Sequence, residues 1–539
     1  LNHELKFGAS YRAFETQSNF GWAGGRNSTA LACEAAGTCG LGALVGVPGA
    51  DDLLLASRSG ETRVDQDYTA GWIQDTLTSG NWTVNAGLRY DLQDGENIGS
   101  TAQANPLFPD TLPALDFGGN QGGCVDDNCA FGGDFEWETI SPRLGVTYAL
   151  GAERKTLLRA SYSRFAEQLS SGNYFATNPI GINTVTFLFE DANDNNVFDV
   201  GEATFGPFGT PPGTDSEVDA DLDPSITDEL ILGVEHAFLP EFVVGVDVTW
   251  RNTTDILEGR GFAFDEAGNK VIVTRDDFVP DETVGPNGEL SSDGVDFPHL
   301  PDGTPWTTQF WRLRDGLEWA NGSFTTNGDR EVEYLGASLN FTKRLANRWM
   351  ARGYVNYSDA EWDVPGSFFR FDDPTEGVSG ADNDGGLFTV QSAGSGPFGD
   401  VLIESGWSVN LNGMYQVAPD RPWGFNIAGN FFAREGYPLP YFWELTSGQT
   451  ADGIARDAAV TEDVDAFRSD DPWVVDLRLE KDMQFTDNLS GILSLDAFNV
   501  FDEQFVMQRD RELDVSTANH VTQNLAPRIY RLGFRLNWR

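Results

Sequence analysis

Trp82-Thr83-Val84-Asn85-Ala86-Gly87-Leu88-Arg89-Tyr90-Asp91-Leu92 alternates without a break: Trp82, Val84, Ala86, Leu88, Tyr90 and Leu92 form one face, Thr83, Asn85, Gly87, Arg89 and Asp91 the other. A period of two belongs to a β-strand, whose successive side chains point to opposite sides. Phe242–Arg251 and Trp407–Gln416 repeat the pattern, and Trp423–Phe431 sets Asn426 and Asn430 against Phe425, Ile427 and Phe431. These runs of nine to twelve residues exceed the usual strand and suit one tilted across a bilayer.

The links between such segments are unequal. Short turns are expected at Leu77–Asn81, Gly151–Lys155, Leu239–Glu241, Leu345–Arg348, Pro419–Pro422 and Thr486–Asn488. Long polar connections are expected over Asp94–Thr139, Ser170–Asp223, Glu258–Asp329, Asp363–Leu402 and Gly436–Asp471. Loops of that length argue against a soluble domain. Short turns on one side and long loops on the other are the layout of outer-membrane barrels. Aromatics near strand ends (Trp82 and Tyr90, Phe242 and Trp250, Trp349 and Tyr357, Trp407 and Tyr415) fit two interfacial girdles. The fold class is therefore all-β: a transmembrane antiparallel up-and-down β-barrel with about sixteen strands in view, short periplasmic turns and long extracellular loops. The last strand, Arg528–Arg539, carries Tyr530, Leu532, Phe534, Leu536 and Trp538 on one face. It resembles the terminal signal read by barrel-insertion machinery, from which Arg539 departs.

Composition agrees. The 539 residues hold 60 glycines and 12 % aromatics, and no apolar run is long enough for a membrane helix. The formal charge of −48 excludes nucleic acid as a partner, because phosphate neutralisation needs Lys and Arg. No Lys or Arg lies between Arg164 and Arg251, while acids crowd Asp191–Glu202 and Asp215–Asp223. A solvated acidic surface accounts for most of this excess. The four cysteines form two close pairs, Cys33/Cys39 and Cys124/Cys129, in loop-like sequence. With no His near either, local disulfides are favoured over zinc, which implies an oxidising compartment.

One motif is specific. Asp191-Ala192-Asn193-Asp194-Asn195-Asn196-Val197-Phe198-Asp199-Val200-Gly201-Glu202 matches the twelve-position calcium loop. Asp191, Asn193 and Asn195 supply oxygens at positions 1, 3 and 5, Val197 its carbonyl at 7, Asp199 at 9, and Glu202 both carboxylate oxygens at 12. Asn196 stands where Gly is usual and tolerates the left-handed turn. The expected role of Ca2+ is to staple an external loop. Asp219–Asp223 and Asp382–Gly385 lack that spacing and read as solvated turns. Catalysis finds little support: His3, His236, His299 and His520 sit in no catalytic pattern, and the chain is not read as an enzyme. Loop aromatics, among them Trp306, Phe310, Tyr441, Phe442 and Trp443, are expected to pack loops together rather than line a binding vestibule.

Several stretches resemble TonB-dependent outer-membrane receptors, specifically the Oar-like group that carries a carboxypeptidase-regulatory-like domain before its plug. They are Asn2–Gly8, Ala86–Asp91, Ser141–Tyr148, Arg159–Phe165, Leu232–Glu235, Asp496–Asp502 and the closing strand, in the family's order and across almost the whole chain. Each is a strand fragment of low individual specificity. The resemblance implies that residues 1–539 are the later part of a barrel of twenty-two strands. It also implies that the plug, the TonB-interacting segment and about six strands lie outside this sequence. The implied function is transport or reception of an unidentified external ligand, with loops held by calcium and disulfides at the cell surface. The implied partners are outer-membrane lipid and lipopolysaccharide, the TonB complex through the absent segment, and an external ligand or surface protein. A peptide, glycan or metal complex suits the acidic loops better than a strongly anionic ligand. A passive porin-like channel and a structural or adhesive surface barrel are the alternatives.

Overall fold

The computed structural model describes the chain except residues 21–27, 33–51, 120–135, 190–200, 209–216, 364–404, 450–455 and 461–465, and some stretches of one to four residues. Fourteen long strands pair in chain order, every neighbouring pair antiparallel. They are β1 (Asn2–Phe20), β2 (Ser59–Ser79), β3 (Trp82–Gln103), β4 (Trp137–Leu150), β5 (Thr156–Ala166), β6 (Ile226–Leu239) and β7 (Phe242–Thr254). After them come β8 (Glu331–Ala346), β9 (Trp349–Asp363), β10 (Trp407–Val417), β11 (Phe425–Arg434), β12 (Trp473–Thr486), β13 (Leu489–Phe498) and β14 (Ile529–Trp538). A short strand, Leu115–Gly119, pairs with β3 off this path, making a sheet of fifteen strands. This up-and-down order is the expected one. Among the described residues β1 pairs only with β2, and β14 only with β13.

The apolar face of each strand is the exposed one. Trp82 and Leu88 are each 49 % exposed, whereas Asp91 and Gln93, on the opposite face of the same strand, are 6 % and 4 % exposed. A water-soluble sandwich would show the reverse. Strand register lines these apolar residues into continuous rows. Val234 of β6 stands opposite Val246 of β7, followed by Leu339, Val355 and Val409 on β8 to β10. Further round, Tyr415, Ile427, Leu479, Leu495 and Leu532 continue from β10 to β14. Such an outward band, bounded by aromatics at both strand ends, is what hydrocarbon covers in an outer-membrane barrel. Past the outer girdle the same outward positions turn acidic, with Glu15 opposite Asp65, Asp65 opposite Glu96, and Asp67 opposite Asp94. Those carboxylates mark where lipid tails give way to headgroups and water.

The short turns fall where the sequence places them. Between β8 and β9, Asn347 and Arg348 adopt φ of 54° and 73°, the two positive values of a type I′ hairpin, whose twist matches that of the flanking strands. Between β2 and β3, Gly80 takes φ +60°, open to glycine at no steric cost.

Two expectations need correction. First, β1, β2 and β3 run to 19, 21 and 22 residues rather than twelve, so the third connection begins after Gln103, not at Asp94. They lengthen because each backbone continues to pair beyond the lipid band, up to Ser59 opposite Gln103. Second, among the described residues the wall has fourteen long strands on its path and a fifteenth beside it, where about sixteen are expected, and other short strands pair with each other inside the loops. Leu317–Asn327, Leu257–Asp265 and Lys270–Ile272 form one such sheet, joined by Glu217–Val218 from the preceding loop.

Candidate functional site

The inward face of the wall is polar and closely paired. On β3, Arg89 holds Asp91 at 2.8 Å, lies 5.5 Å from the Trp72 ring centre, and shares Asp91 with the Tyr68 hydroxyl. Arg159 on β5 meets Glu235 on β6 at 3.3 Å, and Arg251 on β7 meets Glu229 at 2.6 Å. Further round, Asp496 on β13, 5 % exposed, accepts Arg478 from β12 at 3.3 Å and Arg531 from β14 at 3.0 Å. Arg89–Asp91 lies within one strand and reaches the next through Tyr68, and the other pairs join neighbouring strands, so these contacts fix register as well as charge. Asp496→Leu is expected to lower wall stability by about 1–3 kcal/mol, since Arg531 loses its carboxylate partner and Arg478 keeps only Glu480. Urea unfolding in detergent, with the charge-keeping Asp496→Glu as comparison, measures it.

Above the wall the loops make compact cores. Trp306 and Phe310 from the β7–β8 loop pack with Tyr441, Trp443 and Leu445 from the β11–β12 loop and Leu513 from the β13–β14 loop. The Trp306 and Trp443 rings are 5.2 Å apart. Tyr441 is fully buried, donates its hydroxyl to Asn519 Oδ1 at 2.7 Å, and has its phenol pushed up to about 12 by burial. Trp306, Phe310, Tyr441 and Trp443 thus do what sequence reasoning expected of them, and pack. A second core, with Val64, Trp137, Leu169, Tyr174, Val218 and Leu222, joins the inner face of β2 to the β5–β6 loop. Asp219 belongs to this packing: its Oδ1 accepts the Asp221 amide at 3.1 Å and its Oδ2 the Thr326 hydroxyl at 2.6 Å.

A loop turn supplies a pH-sensitive contact. Asp265 accepts the Ala267 and Asn269 amides at 2.9 and 2.8 Å and the Asn269 side chain at 2.9 Å. The Asn269 side chain, then the backbone amides, holds this carboxyl below its ordinary range. A depressed carboxyl stabilises the fold above its unfolded value and loses that contribution as pH falls through the folded one. Amide protection at Ala267 and Asn269 is therefore expected to stay constant down to about pH 4 and to fall below it. Hydrogen exchange across a pH series reads this directly, and a decline that begins near pH 6 would contradict it.

Of the residues assigned from sequence, Asp191, Asn193, Asn195, Val197 and Asp199 lie outside the described residues, as do Cys33, Cys39, Cys124 and Cys129. Glu202 is described and part-buried. The four histidines are dispersed. His3 meets Asp75 at 2.7 Å, His236 meets Thr156 at 2.7 Å, and His299 meets the Ser292 carbonyl at 3.3 Å. The luminal ion pairs went unnamed in the sequence reading. Their only signal is a charged residue on the polar side of a strand, and nothing in one strand tells which neighbour it faces.

Comparison with known proteins adds the setting. Residues 2–249 match the family model described as outer membrane beta barrel domain. No curated protein matches the sequence. Among solved structures, the siderophore receptor PiuA from Acinetobacter baumannii aligns at 11 % identity and a TM-score of 0.46, covering 99 % of this chain and 53 % of that one. The outer membrane transporter YddB from Escherichia coli aligns at 12 % and 0.42, covering 90 % and 60 %. The FrpB iron transporter from Neisseria meningitidis aligns at 11 % and 0.41, covering 90 % and 52 %. The chain thus spans between half and two thirds of the length of these proteins. With its lipid-facing apolar band, its polar inner wall and a matched barrel domain over residues 2–249, the chain is an integral outer-membrane β-barrel protein.

Proposed function

We propose that this chain is the wall and loop crown of a TonB-dependent outer-membrane receptor of the Oar-like group, which binds and admits an external solute. The observation that carries the reading is the pairing of a polar inner face with loops packed into a shared core above it. A lumen lined by ion pairs suits passage of a polar solute, and a crown made from three loops suits recognition at its mouth. Among the described residues β1 and β14 each pair on one side only, which supports the reading that these strands sit in a larger barrel.

The test compares uptake of labelled peptides, oligosaccharides and metal chelates by cells with and without the gene, before and after a protonophore removes the energy source. Uptake that needs both the gene and the proton gradient is the expected result. Gene-dependent uptake that ignores the protonophore, together with steady conductance in planar bilayers, would replace it with the passive-channel reading.

The external loops carry the metal and disulfide part of the proposal. Ca2+ held by Asp191, Asn193, Asn195, Val197, Asp199 and Glu202 neutralises the carboxylates of the β5–β6 loop, and Cys33–Cys39 and Cys124–Cys129 close two further loops. Chelation is expected to open new protease cleavage near Asp191. The same fragments should appear in Glu202→Gln with calcium present. Identical digests with and without chelator would end the calcium assignment, and mass spectra of unreduced peptides check the two bridges.

A further inference from the structure

After β5 the chain does not leave the wall. It turns inward across β4 and lays Glu167–Tyr174 on the inner faces of β3 and β2. Gln93 on β3 donates its side-chain amide to the Glu167 carbonyl at 3.2 Å and accepts the Leu169 amide at 3.0 Å. Gln66 on β2 donates to the Leu169 carbonyl at 3.3 Å, and Asn97 on β3 to the Tyr174 carbonyl at 2.8 Å. Gly95 makes room between them, since a Cβ there would stand 2.9 Å from the Tyr174 ring. Leu169 and Tyr174 are buried against Val64 and Trp137. This seat lies above the lipid band, because Asp65, Asp67 and Glu96, the outward neighbours of Gln66 and Asn97, are carboxylates beyond the outer girdle.

The segment is held differently from the wall. Among the described residues, Gln168–Tyr174 makes no backbone hydrogen bond to β2 or β3, and side-chain amides with apolar burial attach it. Seating it also leaves a defect. Gln66 is 5 % exposed, and its Oε1 has no hydrogen-bond partner. A buried oxygen without a donor opposes closure, and water satisfies it once the segment lifts. The seated state is therefore easier to leave than the β2–β3 ladder beneath it.

The far end of the same loop is latched to another element. Glu217–Val218 pair in parallel with Phe324–Thr325 of the β7–β8 loop, and the Asp219 amide donates to the Thr325 carbonyl at 2.8 Å. Asn327 accepts the Asp223 amide at 2.7 Å and donates to the Asp223 and Asp255 carbonyls at 2.8 and 2.7 Å. Lys270 meets Glu217 at 2.5 Å above the Phe262 ring. Latch and seat touch. Val218 and Leu222 share the core that buries Leu169 and Tyr174, and Trp137 donates its ring N–H to the Leu222 carbonyl at 2.9 Å. The β7–β8 loop in turn reaches the crown core with Trp306 and Phe310.

We propose that Glu167–Tyr174 is a releasable strap at the mouth of the lumen, whose lifting is coupled through Glu217–Asp223 to displacement of the β7–β8 loop. An external solute that moves this loop at the crown thereby frees the inner faces of β2 and β3. The proposal rests on the reading of the lumen as a solute path and names how entry along it is regulated.

Hydrogen exchange read by mass spectrometry on the full-length protein in detergent tests it. The Gln168–Tyr174 peptide should exchange about 100 times faster than the β2 and β3 ladders, as local opening does relative to global unfolding. Asn327→Ala, in the latch and outside the seat, should speed it about tenfold through the hydrogen bonds it removes. Gln93→Leu, in the seat, should speed exchange of Glu217–Asp223 in return, because coupling is reciprocal. Unchanged exchange in the ladders shows that each variant is folded, and Lys270→Gln, which breaks the ion pair with Glu217, takes the place of Asn327→Ala if that variant does not fold. Thr517→Val, whose hydroxyl bonds Asp510 within the β13–β14 loop, should leave the strap unchanged. In cells carrying Asn327→Ala, initial uptake of the labelled peptides, oligosaccharides or chelates should rise with the open fraction, up to about tenfold. Three results overturn the proposal: a strap as slow as the ladders, acceleration by Asn327→Ala confined to the latch, or a faster strap with uptake equal to the parent's. If the gene supports no uptake at all while exchange behaves as described, the transport reading fails and the coupling stands.

Discussion

Val246→Arg is expected to destabilise the protein in lipid by about 2–4 kcal/mol, while Thr249→Arg, three residues along the same strand, costs less than about 1 kcal/mol. Val246 lies midway between the girdle residues Phe242 and Trp250, with Val234 and Leu339 on either side, and is 38 % exposed. At that depth an arginine has only hydrocarbon around it, and snorkelling recovers part of the cost of dehydrating its charge. Thr249 points to the opposite face, between Ile231 and Gly336, where water and ion pairs receive a new cation. Urea unfolding in vesicles measures both. Equal costs for the two, or a neutral Val246→Arg, would mean that lipid does not cover the apolar face, and the barrel reading would fall with it.

Trp443→Ala is expected to have the largest effect on the loops, about 3–5 kcal/mol, the cost of removing a buried aromatic from a packed cluster. Trp443 is 9 % exposed and stacks obliquely on Trp306, so its loss opens a cavity shared by three loops. The damage should stay local, because the wall is held by its own ladder and by lipid. Limited proteolysis should cut the β7–β8 and β11–β12 loops together, with the barrel fragment intact and its unfolding midpoint unchanged. Cutting in the β11–β12 loop alone would show that the loops do not share a core.

The proposed calcium loop reads as a motif because its candidate ligands are contiguous, and the loop aromatics read as packing residues because aromatics in loops more often pack than stay exposed. The luminal pairs were not legible in this way. Arg478, Asp496 and Arg531 lie on three strands, and a shift of one residue in any of them would turn its member to the lipid.

The amino-acid sequence by itself determined that the chain is built of alternating strands joined by short turns and long loops, and hence that one face is apolar and the other polar. Periodicity and turn chemistry are local, and local order needs no knowledge of neighbours. Only the tertiary structure decided which face is exposed, how far β1 to β3 continue beyond the lipid band, which loops share a core, and which charges meet across the lumen. Those outcomes depend on strand register and on contacts between residues tens to hundreds of positions apart, where many pairings satisfy the same alternation and a single one satisfies them all together.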